Sequence, residues 1–577
     1  MVLSAAGQPA RRASQAAPAG ELAQAPLLAE LLAALRAALG ADQVHDGSAT
    51  LARYAASTVS RAMRPLAVVT PATQAEVLAI VKISGVFGVP LYPLSTGKNW
   101  GYGDACALGA GQLIVDLQRM NRIVEVNAEL AYAVIEPGVT QQQLADYLQA
   151  QRLDLWIDCT GAGPHTSFVG NILERGFGHS PYGDRLRHVS GMQVVLASGE
   201  VLETGFGHYP NARAAHLFPY GLGPFLDGLF TQSNFGIVTR LGLWLMPKAP
   251  CVKHFLCPVM QHQDIGAVVD ALRPLRLDGT LRGVVHIGND LRVLSGGSVF
   301  PRALAPHASQ LGPALRAALR RQAGIGAWTV SGALYGSERQ VAAARAAVRA
   351  ALQPTATRAS FLSERSLRWG ERLVRLLGRT RLGQRLQARV ALGEALMAMN
   401  RGSPSGRFLA GAYWRRRGGL PDQFPRKADP AQDNCGLMWV SPVLPLRGAD
   451  LLALHALVAP AFALHGFDLF ATFSMINERS LGAVLTIAYD KEDEAEVERA
   501  QRCYGEVFAL VMAAGYIPYR VGNQSMDALD PHADVYWKTV ARIKQALDPA
   551  GLIAPGRYQG APELPGAPIA PSMPDPV

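Results

Sequence analysis

Short runs of β-forming residues fill the region 66–250, where glycine, proline and asparagine turns separate them and helical stretches alternate with them. The runs LAVVTP, QLIVDL and GIVTRLGLWLMP read as strands, whereas TQAEVLAIVKISGVFG carries apolar residues at helical spacing. Thr73 stands before that stretch with Glu76 three positions later, a capping-box pattern that predicts a helix over 74–86. Strands and helices interleaved in this way restrict the region to an α+β domain.

The chain has 577 residues, too many for one ordinary core, so we expect several domains. A hydrophobic content of 49% with 17% charged residues is typical of a globular protein. Changes in composition give the expected boundaries, which are a disordered Ala/Pro/Gln-rich segment over 1–25, an α+β domain over 26–250, a second α+β domain over 251–515, a C-terminal segment over 516–560 and a loose Pro-rich tail over 561–577.

The second domain has its own strand and helix patterns. WTVSGALYG and GAVLTIAYD read as strands, and SERQVAAARAAVRAALQ and EDEAEVERAQRCYGEVFALVMAAG read as helices. Residues 363–400 stand out because arginines alternate there with Leu, Trp and Val. This pattern fits a solvated helix pair that covers a core, and it also fits a basic amphipathic helix lying on an anionic membrane. We favour the helix pair, because such patterns are common on surface helices.

Several function classes lack support in the sequence. The net charge of +10 suits anionic ligands, but the arginines outside 363–400 are scattered, which argues against nucleic acid. The chain has no G-x-x-x-x-G-K-[ST], G-x-S-x-G or H-E-x-x-H motif, and no G-x-G-x-x-G follows a strand. The six cysteines form no C-x-x-C pair and no histidines lie at zinc spacing, so we expect neither a metal site nor a disulfide framework.

The sequence also lacks the segments that address a chain to or through a membrane. The N-terminal residues contain an Arg pair but no apolar secretory segment after it. No apolar run reaches the roughly 18 residues of a membrane span. A cytoplasmic location is therefore the expectation.

A glycine-rich loop follows the strand GVPLY and reads Pro93-Leu-Ser-Thr-Gly97-Lys-Asn-Trp-Gly-Tyr-Gly103. Glycines allow successive backbone N–H groups to converge on an anion, and the Ser and Thr hydroxyls add hydrogen-bond donors. This chemistry suits a pyrophosphate. Taken alone, the loop fits an ordinary glycine-rich turn equally well.

Further glycine-punctuated segments follow at fixed spacings. They are EPGVT (136–140), GNILERGFGHSPYGD (170–184), FPYGLGP (218–224) and QSNFGIVT (232–239). Together with the loop, these segments resemble the FAD-binding domain of the vanillyl-alcohol oxidase / 4-cresol dehydrogenase flavoprotein family. Matching stretches extend from about residue 66 to about residue 558, and 363–425 is poorly matched.

The resemblance implies an α+β protein. A two-domain FAD-binding fold of the p-cresol methylhydroxylase type, with two α+β subdomains around FAD, carries an α+β cap domain with an antiparallel sheet. Residues 26–250 correspond to the FAD-binding domain, 251–515 to the substrate (cap) domain, and 516–560 to the return into the FAD domain. The residues that match the family's FAD contacts are Ser95, Thr96, Gly97, Lys98, Asn99, Pro137, Gly138, Thr140, Gly170, Asn171, Glu174, Arg175, Gly178, Gly236, Ile237, Val238 and Arg557.

Tyr102, Tyr519 and Arg520 match the family's phenol-binding residues, and the resemblance implies that they are the catalytic residues. A permanently charged Arg and two Tyr hydroxyls favour a phenolate, which drives hydride from the benzylic carbon to flavin N5. We therefore expect an FAD-dependent oxidase or dehydrogenase of a para-substituted phenol. The alternative is an FAD-dependent oxidase or dehydrogenase of a larger alcohol, amine or secondary metabolite on the same fold.

The first departure from the family pattern concerns the attachment of FAD. Relatives tether the cofactor through a His or Tyr, but the matching stretch 434–439 (NCGLMW) contains neither. We expect non-covalent FAD. A thioether through Cys435 is the alternative, against which stands the usual role of a small buried Cys in packing.

The second departure lies where relatives carry an Asp near flavin N5. Thr160 or Gly161 falls at that position, and Asp158 lies slightly earlier, where a structural role is open to it. His165 and His179 share this glycine-rich region, and each is expected to be a neutral, hydrogen-bonded His rather than a base. The sequence does not assign a base near N5.

The expected partners follow from this assignment. They are a small aromatic substrate and, as electron acceptor, either O2 or a redox carrier protein, with no nucleic acid. The sequence leaves the oligomeric state open, with a homodimer as one option because dimers are common among soluble proteins. Membrane association is the alternative tied to residues 363–400.

Overall fold

The computed structural model describes residues 21–60, 63–305, 308–378, 380–529 and 534–559. The sequence predictions for 1–20 and 561–577 lie outside the described residues. Residues 21–25 were expected to be disordered, but they belong to the first helix. The stretch ELAQA consists of good helix formers, so the helix extends back beyond the apolar pattern that follows it.

Helices occur in every part of the chain. They are α1 (Glu21–Leu39), α2 (Ser48–Ala55), α3 (Gln74–Phe87), α4 (Gln141–Ala150), α5 (Phe168–Leu173), α6 (Ile265–Leu277), α7 (Asp290–Ser295), α8 (Pro313–Ala323), α9 (Glu338–Leu352), α10 (Glu364–Leu377), α11 (Arg381–Asn400), α12 (Gly448–Leu464), α13 (Glu494–Ala513) and α14 (Val535–Leu547).

The first sheet carries the glycine-rich loop. Its strands are β1 (Val44–His45), β2 (Ala67–Val69), β3 (Leu91–Leu94) and β4 (Leu113–Asp116), in the order β1-β2-β4-β3. Strands β2 and β3 both run parallel to β4, and α3 connects them. Helix α3 begins at the predicted cap, since the Thr73 side chain accepts from the Glu76 N–H at 3.2 Å. The loop therefore starts at the C-terminal end of a buried parallel strand, a usual place for ligands in such sheets.

The second sheet completes the first domain. Its strands are β5 (Ile123–Asn127), β6 (Tyr132–Ile135), β8 (Val189–Val195), β9 (Val201–Glu203) and β10 (Ile237–Trp244), in the antiparallel order β5-β6-β10-β8-β9. A short ribbon pairs β7 (Leu155–Trp156) with β11 (Met246–Pro247). Helices α4 and α5 pack over a core that includes Leu144, Phe168, Val194 and Leu241. The cleft between the first and second sheets holds the candidate site.

The third sheet forms the cap. Its strands are β12 (Cys251–Val259), β13 (Val285–Asn289), β14 (Trp328–Gly336), β15 (Ser360–Leu362), β16 (Gly436–Val440), β17 (Val443–Pro445), β18 (Phe470–Met475) and β19 (Ser480–Tyr489). The main order is β15-β12-β14-β13-β18-β19-β16, β17 pairs with β19, and all pairs are antiparallel. The predicted α+β class with an antiparallel cap sheet is confirmed.

The two faces of the cap sheet differ in chemistry. On β13, Val285 and Ile287 are buried in the main apolar cluster together with residues of α6, α9, α12 and α13. His286 alternates with them and stays partly accessible, because successive strand residues point to opposite faces. Ser474 on β18 lies directly opposite His286 in the register. The helices thus cover the apolar face, and the face with polar residues is left toward the first domain.

The Arg-rich segment forms the favoured helix pair. Helices α10 and α11 pack side by side, so a Cβ on Gly370 would lie 2.7 Å from Val390, and one on Gly393 would lie 2.9 Å from Leu367. The outer face of α10 keeps Trp369 58% exposed. No helix among the described residues is long and apolar enough to span a membrane.

The end of the chain returns to the first sheet. Ile553 forms a parallel bridge with Leu91 of β3, and the Leu91 N–H donates to the Leu552 carbonyl at 2.8 Å. Lys544 of α14 is buried and donates to Asp548 and to the Asn234 and Ile553 carbonyls. These bonds bring residues 553–557 to the edge of the cleft.

Candidate FAD and substrate site

The glycine-rich loop offers a run of free backbone donors. Among the described residues, none accepts a hydrogen bond from the backbone N–H groups of 95–99. Gly97 has φ 65°, and a Cβ there would lie 2.7 Å from the Cβ of Ala105. Buried donors without partners are costly, whereas a pyrophosphate would satisfy several at once. The loop therefore fits a dinucleotide pyrophosphate.

The opposite wall of the cleft comes very close to this loop. The Ser167 N–H donates to Thr96 Oγ1 at 3.2 Å. A Cβ added to Gly170 would lie 3.0 Å from Ser95 Oγ, so a larger residue would push the walls apart. The close approach of the two walls explains why position 170 is a glycine.

The cleft has an empty volume of about 1180 Å³ and continues into an adjoining pocket of about 890 Å³. Most of the residues that the sequence linked to FAD line these two spaces. Those in the main cleft are Ser95, Thr96, Gly97, Lys98, Asn99, Gly170, Asn171, Glu174, Gly236, Ile237, Val238 and Arg557. Gly138 and Thr140 line the adjoining pocket.

Three residues from the same prediction line neither space. Pro137 lies behind the wall, where its carbonyl accepts from Ser167 Oγ at 2.6 Å. Arg175 has φ 51°, and this left-handed turn sends its side chain outward to Thr231 Oγ1 at 3.1 Å. Gly178 stands against Asp158, where a Cβ would come within 1.7 Å of Oδ2. Packing explains the residue types at Pro137 and Gly178, and turn formation explains the direction of the Arg175 side chain.

Tyr102, Tyr519 and Arg520 come together at one end of the cleft. The Arg520 guanidinium carbon lies 4.3 Å from the centre of the Tyr102 ring, and Arg520 donates to Asn99 Oδ1. The Tyr102 hydroxyl lies 2.5 Å from Ser441 Oγ, and the Tyr519 N–H donates to the Ser441 carbonyl at 3.1 Å. Residues distant in sequence thus place two phenol hydroxyls and one cation beside one another.

One carboxylate serves two arginines at this end. Glu174 Oε2 lies 3.2 Å from Arg520 Nε, and Glu174 Oε1 contacts the Arg557 guanidinium. The Tyr558 hydroxyl also donates to Glu174 at 3.0 Å, and Arg557 donates to the Tyr92 hydroxyl at 2.8 Å. Two positive charges against one negative charge leave one positive charge uncompensated beside the tyrosines.

Burial dominates the ionisation of the two tyrosines. It raises the pKa of Tyr102, and the Arg520 charge and hydrogen bonds from Ser441 and Tyr519 oppose that rise. Burial also raises the pKa of Tyr519 well above its usual value, with the nearby Tyr102 adding to the rise and Arg520 opposing it. Both side chains are therefore neutral hydroxyls that can donate hydrogen bonds at physiological pH.

Asp158 has a structural role. Its Oδ1 accepts from the His179 and Ser180 N–H groups and from Ser180 Oγ, at 2.7–3.1 Å. Its Oδ2 accepts from Arg185 Nε at 2.7 Å, and both side chains of this ion pair are buried. A carboxylate so fully paired anchors the 177–180 segment. His165 is exposed, away from this pair, and Thr160 is held by Gln141.

The stretch 434–439, where the sequence predicts no covalent attachment of FAD, contains a buried thiol. Burial raises the pKa of Cys435 far above its usual value, so a thiol and not a thiolate is present. Cys435 packs with Trp100, Tyr413 and Leu437. Trp439 lines the cleft, packs edge-on against Tyr102 at 5.4 Å, and keeps an indole N–H without a partner among the described residues.

One wall of the site was not predicted from the sequence. It is the polar face of the cap sheet, which points toward the first domain. His286 of β13 packs against His179 with ring centres 4.1 Å apart and ring planes tilted by 39°, and His286 Nδ1 lies 2.8 Å from Ser474 Oγ. His254 of β12 is buried and accepts at Nδ1 from the Asn400 amide at 3.2 Å. The polar positions alternating with apolar ones in VHIGN were the only local signal.

Burial keeps these histidines neutral. It lowers the pKa of His179 to about 3 and of His254 to about 4, and in His179 the neighbouring His254 and two arginines add to the effect. It lowers the pKa of His286 well below 6.5, with His179 and His254 adding to it. Among the described residues, no group of three or more His, Cys, Asp or Glu side chains is placed to hold a metal ion.

Family models match two parts of the chain. An FAD binding domain matches residues 65–205, and the C-terminal domain of FAD linked oxidases matches residues 480–558. The first match spans the loop and both walls of the cleft, and the second spans Tyr519, Arg520 and Arg557. FAD is thus the cofactor of this protein, and the cleft is its candidate binding site.

Whole-chain comparisons extend the likeness. The chain is 39% identical to 1'-carboxy-chondrochloren decarboxylase of Chondromyces crocatus, over 94% of this chain and 99% of that protein. It is 32% identical to the flavoprotein subunit of 4-cresol dehydrogenase [hydroxylating] of Pseudomonas putida, over 90% of this chain and 94% of that one. Its structure is similar to p-cresol methylhydroxylase with substrate bound, with a TM-score of 0.82, 31% identity, and coverage of 93% and 97%. The predicted p-cresol methylhydroxylase-type fold is confirmed.

Proposed function

This chain belongs to the 4-cresol dehydrogenase (p-cresol methylhydroxylase) family of FAD-dependent oxidoreductases, and from that premise we propose that it oxidises a para-substituted phenol at the carbon attached to the ring. FAD, when bound, supplies the hydride acceptor. The protein's own part is to bind the phenol, orient it and stabilise the charge that develops on its oxygen.

The observation that carries the proposal is the uncompensated positive charge beside Tyr102 and Tyr519. Glu174 can neutralise only one of Arg520 and Arg557. A phenol oxygen at this point would receive hydrogen bonds from neutral tyrosine hydroxyls and feel the remaining charge. Both effects lower the pKa of a bound phenol and favour the phenolate.

A phenolate changes the reactivity of the carbon opposite to it. Its electrons flow through the ring to the para position, so hydride leaves the benzylic carbon and a quinone methide forms. Water or another nucleophile then adds, or a proton is lost from the side chain. Fixed donors around the oxygen need no rearrangement as this charge develops, and such preorganised groups lower the barrier by several kcal/mol.

The residues around the cleft support FAD as a tightly held, non-covalent group. The free N–H groups of 95–99 are suited to the pyrophosphate, and Lys98 is held at the loop by Asp429 at 2.5 Å. Cys435 is a buried neutral thiol, which disfavours thioether formation. We therefore propose Ser95, Thr96, Gly97 and Asn99 as pyrophosphate contacts.

A second candidate is the oxidation of a larger phenolic metabolite. The relative of 39% identity is named as a decarboxylase of a carboxy compound, and the poorly matched 363–425 region adds Phe408 to the cap wall beside His179. If the carbon next to the benzylic one carries a carboxylate, the quinone methide can accept the electrons of that C–C bond. Carbon dioxide then leaves, the ring regains its aromaticity, and an alkene remains.

The test mixes the purified holoprotein anaerobically with a para-alkylphenol and, as a matched control, with the methyl ether of the same phenol. The phenol is expected to bleach the flavin absorption, whereas the ether is not, because it cannot form a phenolate. If neither compound bleaches the flavin, or if both do so equally fast, phenolate-driven oxidation is wrong. Acid precipitation of the same sample is expected to release the flavin into solution.

A further inference from the structure

Arg292 carries an unmatched charge inside the protein. Arg292 lies in α7, which follows β13 and is capped by Asn289. Protein surrounds its guanidinium, and the residue as a whole is partly buried. Among the described residues, no side chain or carbonyl accepts a hydrogen bond from its guanidinium, and no carboxylate pairs with it.

Two acidic residues of this region, Asp290 and Asp158, have other partners. Asp290, two residues before Arg292, is paired with Arg316 through Nε at 2.9 Å and Nη2 at 2.5 Å. Asp158 is paired with Arg185. Burial lowers the pKa of Arg292, and no neighbouring acidic group opposes this. An arginine keeps its proton even so, and a buried charge without a counter-charge is strongly unfavourable.

The histidine wall lies next to Arg292. His286 and Gly288 lie on the same face of β13, and a Cβ on Gly288 would lie 3.6 Å from Arg292 Cγ, so Arg292 lies beside this wall. In agreement, its charge lowers the pKa of both His179 and His286. Each neutral imidazole carries one N–H donor and no charge, and His286 Nε2 has no partner among the described residues. A Cβ on Gly411 would lie 2.8 Å from Arg292 Nη1, so the 406–413 segment closes the far side.

This wall is continuous with the phenol end of the site. The Phe177 ring packs against Tyr519 with centres 5.9 Å apart. His179 follows two residues later on the same segment, about 7 Å farther along if the backbone is extended. A ligand whose phenol oxygen lies at Tyr519 therefore reaches His179 with its para side chain.

We propose that Arg292, assisted by His179 and His286, binds a carboxylate carried by the para side chain of the phenolic substrate. The proposal rests on the proposed phenol oxidation and names the substrate class of the same site. A carboxylate suits the charge, because one cation among neutral donors balances one negative charge, whereas a phosphate dianion would leave an excess. Arg also offers two parallel N–H groups that match the two carboxylate oxygens.

The test measures binding to the oxidised holoprotein by the shift in flavin absorption, without oxygen and before turnover. The probes are 3-(4-hydroxyphenyl)propanoate and its uncharged amide, which differ only at the carboxyl group. The wild-type protein is expected to bind the acid more tightly than the amide, by on the order of 10- to 100-fold. In Arg292→Gln this preference is expected to fall to about one, and Arg292→Lys is expected to keep part of it.

Arg339→Gln on the exposed start of α9 is the matched control, since it removes the same charge from the cap surface. It is expected to keep the full preference for the acid. A second measurement separates ligand binding from a merely structural role. Without ligand, Arg292→Gln is expected to unfold at the same temperature as the wild-type protein or higher, because it removes a buried unpaired charge, whereas a structural arginine would lower that temperature.

Equal affinity of the wild-type protein for acid and amide would overturn the proposal, and so would a preference that survives in Arg292→Gln. These outcomes differ from failure of the proposed function. If para-alkylphenols bleach the flavin but the carboxyl group brings no gain, only the carboxylate subsite is wrong. If no phenol binds or bleaches the flavin, phenol oxidation itself is wrong.

Discussion

Arg520 and Arg292 stand in opposite electrostatic settings at the two ends of the proposed substrate site. Arg520 pairs with Glu174, donates to Asn99 and lies against the Tyr102 ring. Arg292 has no acceptor among the described residues. A partly compensated cation can stabilise charge that appears only during a reaction, while an unpaired buried cation calls for a ligand that arrives already charged.

The largest expected effect on the reaction rate comes from removing the charge at the phenol end. Arg520→Met should slow flavin reduction by a para-alkylphenol by about 10²- to 10³-fold, because the developing phenolate loses its electrostatic stabilisation. Anaerobic stopped-flow absorption measures the rate, and Arg339→Met on the cap surface is the control. A change of less than threefold in Arg520→Met would mean that the phenol end does not stabilise the transition state.

The next prediction compares arginines with and without a partner. Arg415 forms a buried ion pair with Glu496, with N–O distances of 2.7 and 3.0 Å. Arg415→Met should lower the free energy of unfolding of the cap by about 3–5 kcal/mol, because Glu496 is left buried and unpaired. Arg292→Met should not lower it. Urea unfolding of the two holoproteins tests the contrast, and an equal loss in both would show that Arg292 has a partner after all.

A single hydroxyl should matter less than the charge. Tyr519→Phe removes one donor from the phenol oxygen but keeps the ring that packs against Phe177. Flavin reduction should slow by about 10- to 100-fold, as expected for one hydrogen bond to a charged group. Tyr516→Phe, three residues earlier and bonded to Asp450, is the control for loss of a hydroxyl. A full rate in Tyr519→Phe would favour a substrate that is not held through a phenol oxygen.

The effect that is smallest at any single step of pH concerns protons at the cap end. The pKa of His254 is about 4 in the folded protein, below the value of about 6.5 expected when unfolded. Below pH 6.5 the unfolded chain therefore binds a proton that the folded protein excludes, so this residue contributes stability above pH 6.5 that is lost as the pH falls toward 4.

His254→Asn should reduce the dependence of unfolding free energy on pH between 6.5 and 4 by about 1.4 kcal/mol per pH unit. Urea unfolding at a series of pH values measures this slope. His208→Asn, at an exposed loop, is the matched control and should leave the slope as in the wild-type protein. An unchanged slope in His254→Asn would mean that this side chain takes up its proton as freely in the folded protein as in the unfolded one.

The free donors of the glycine-rich loop and the cap of α3 could be predicted because their chemistry is local. The five N–H donors of 95–99 are consecutive, and they follow a strand whose pattern is legible. Thr73 and Glu76 are likewise neighbours on one helix turn. Arg175 shows the limit of this reasoning: it lies within a matched motif, but a left-handed backbone turns it away from the cleft.

By itself the sequence predicted the α+β class and, through a family resemblance, the FAD cofactor and three residues that the structure brings together, Tyr102, Tyr519 and Arg520. Only the tertiary structure decided which charges are neutralised. Glu174 meets Arg520 and Arg557 across more than 340 positions, and His179, His254, His286 and Arg292 come from separate elements that the cap register and domain packing bring together. Electrostatic balance depends on distances through space and on burial, and no local pattern encodes either of them.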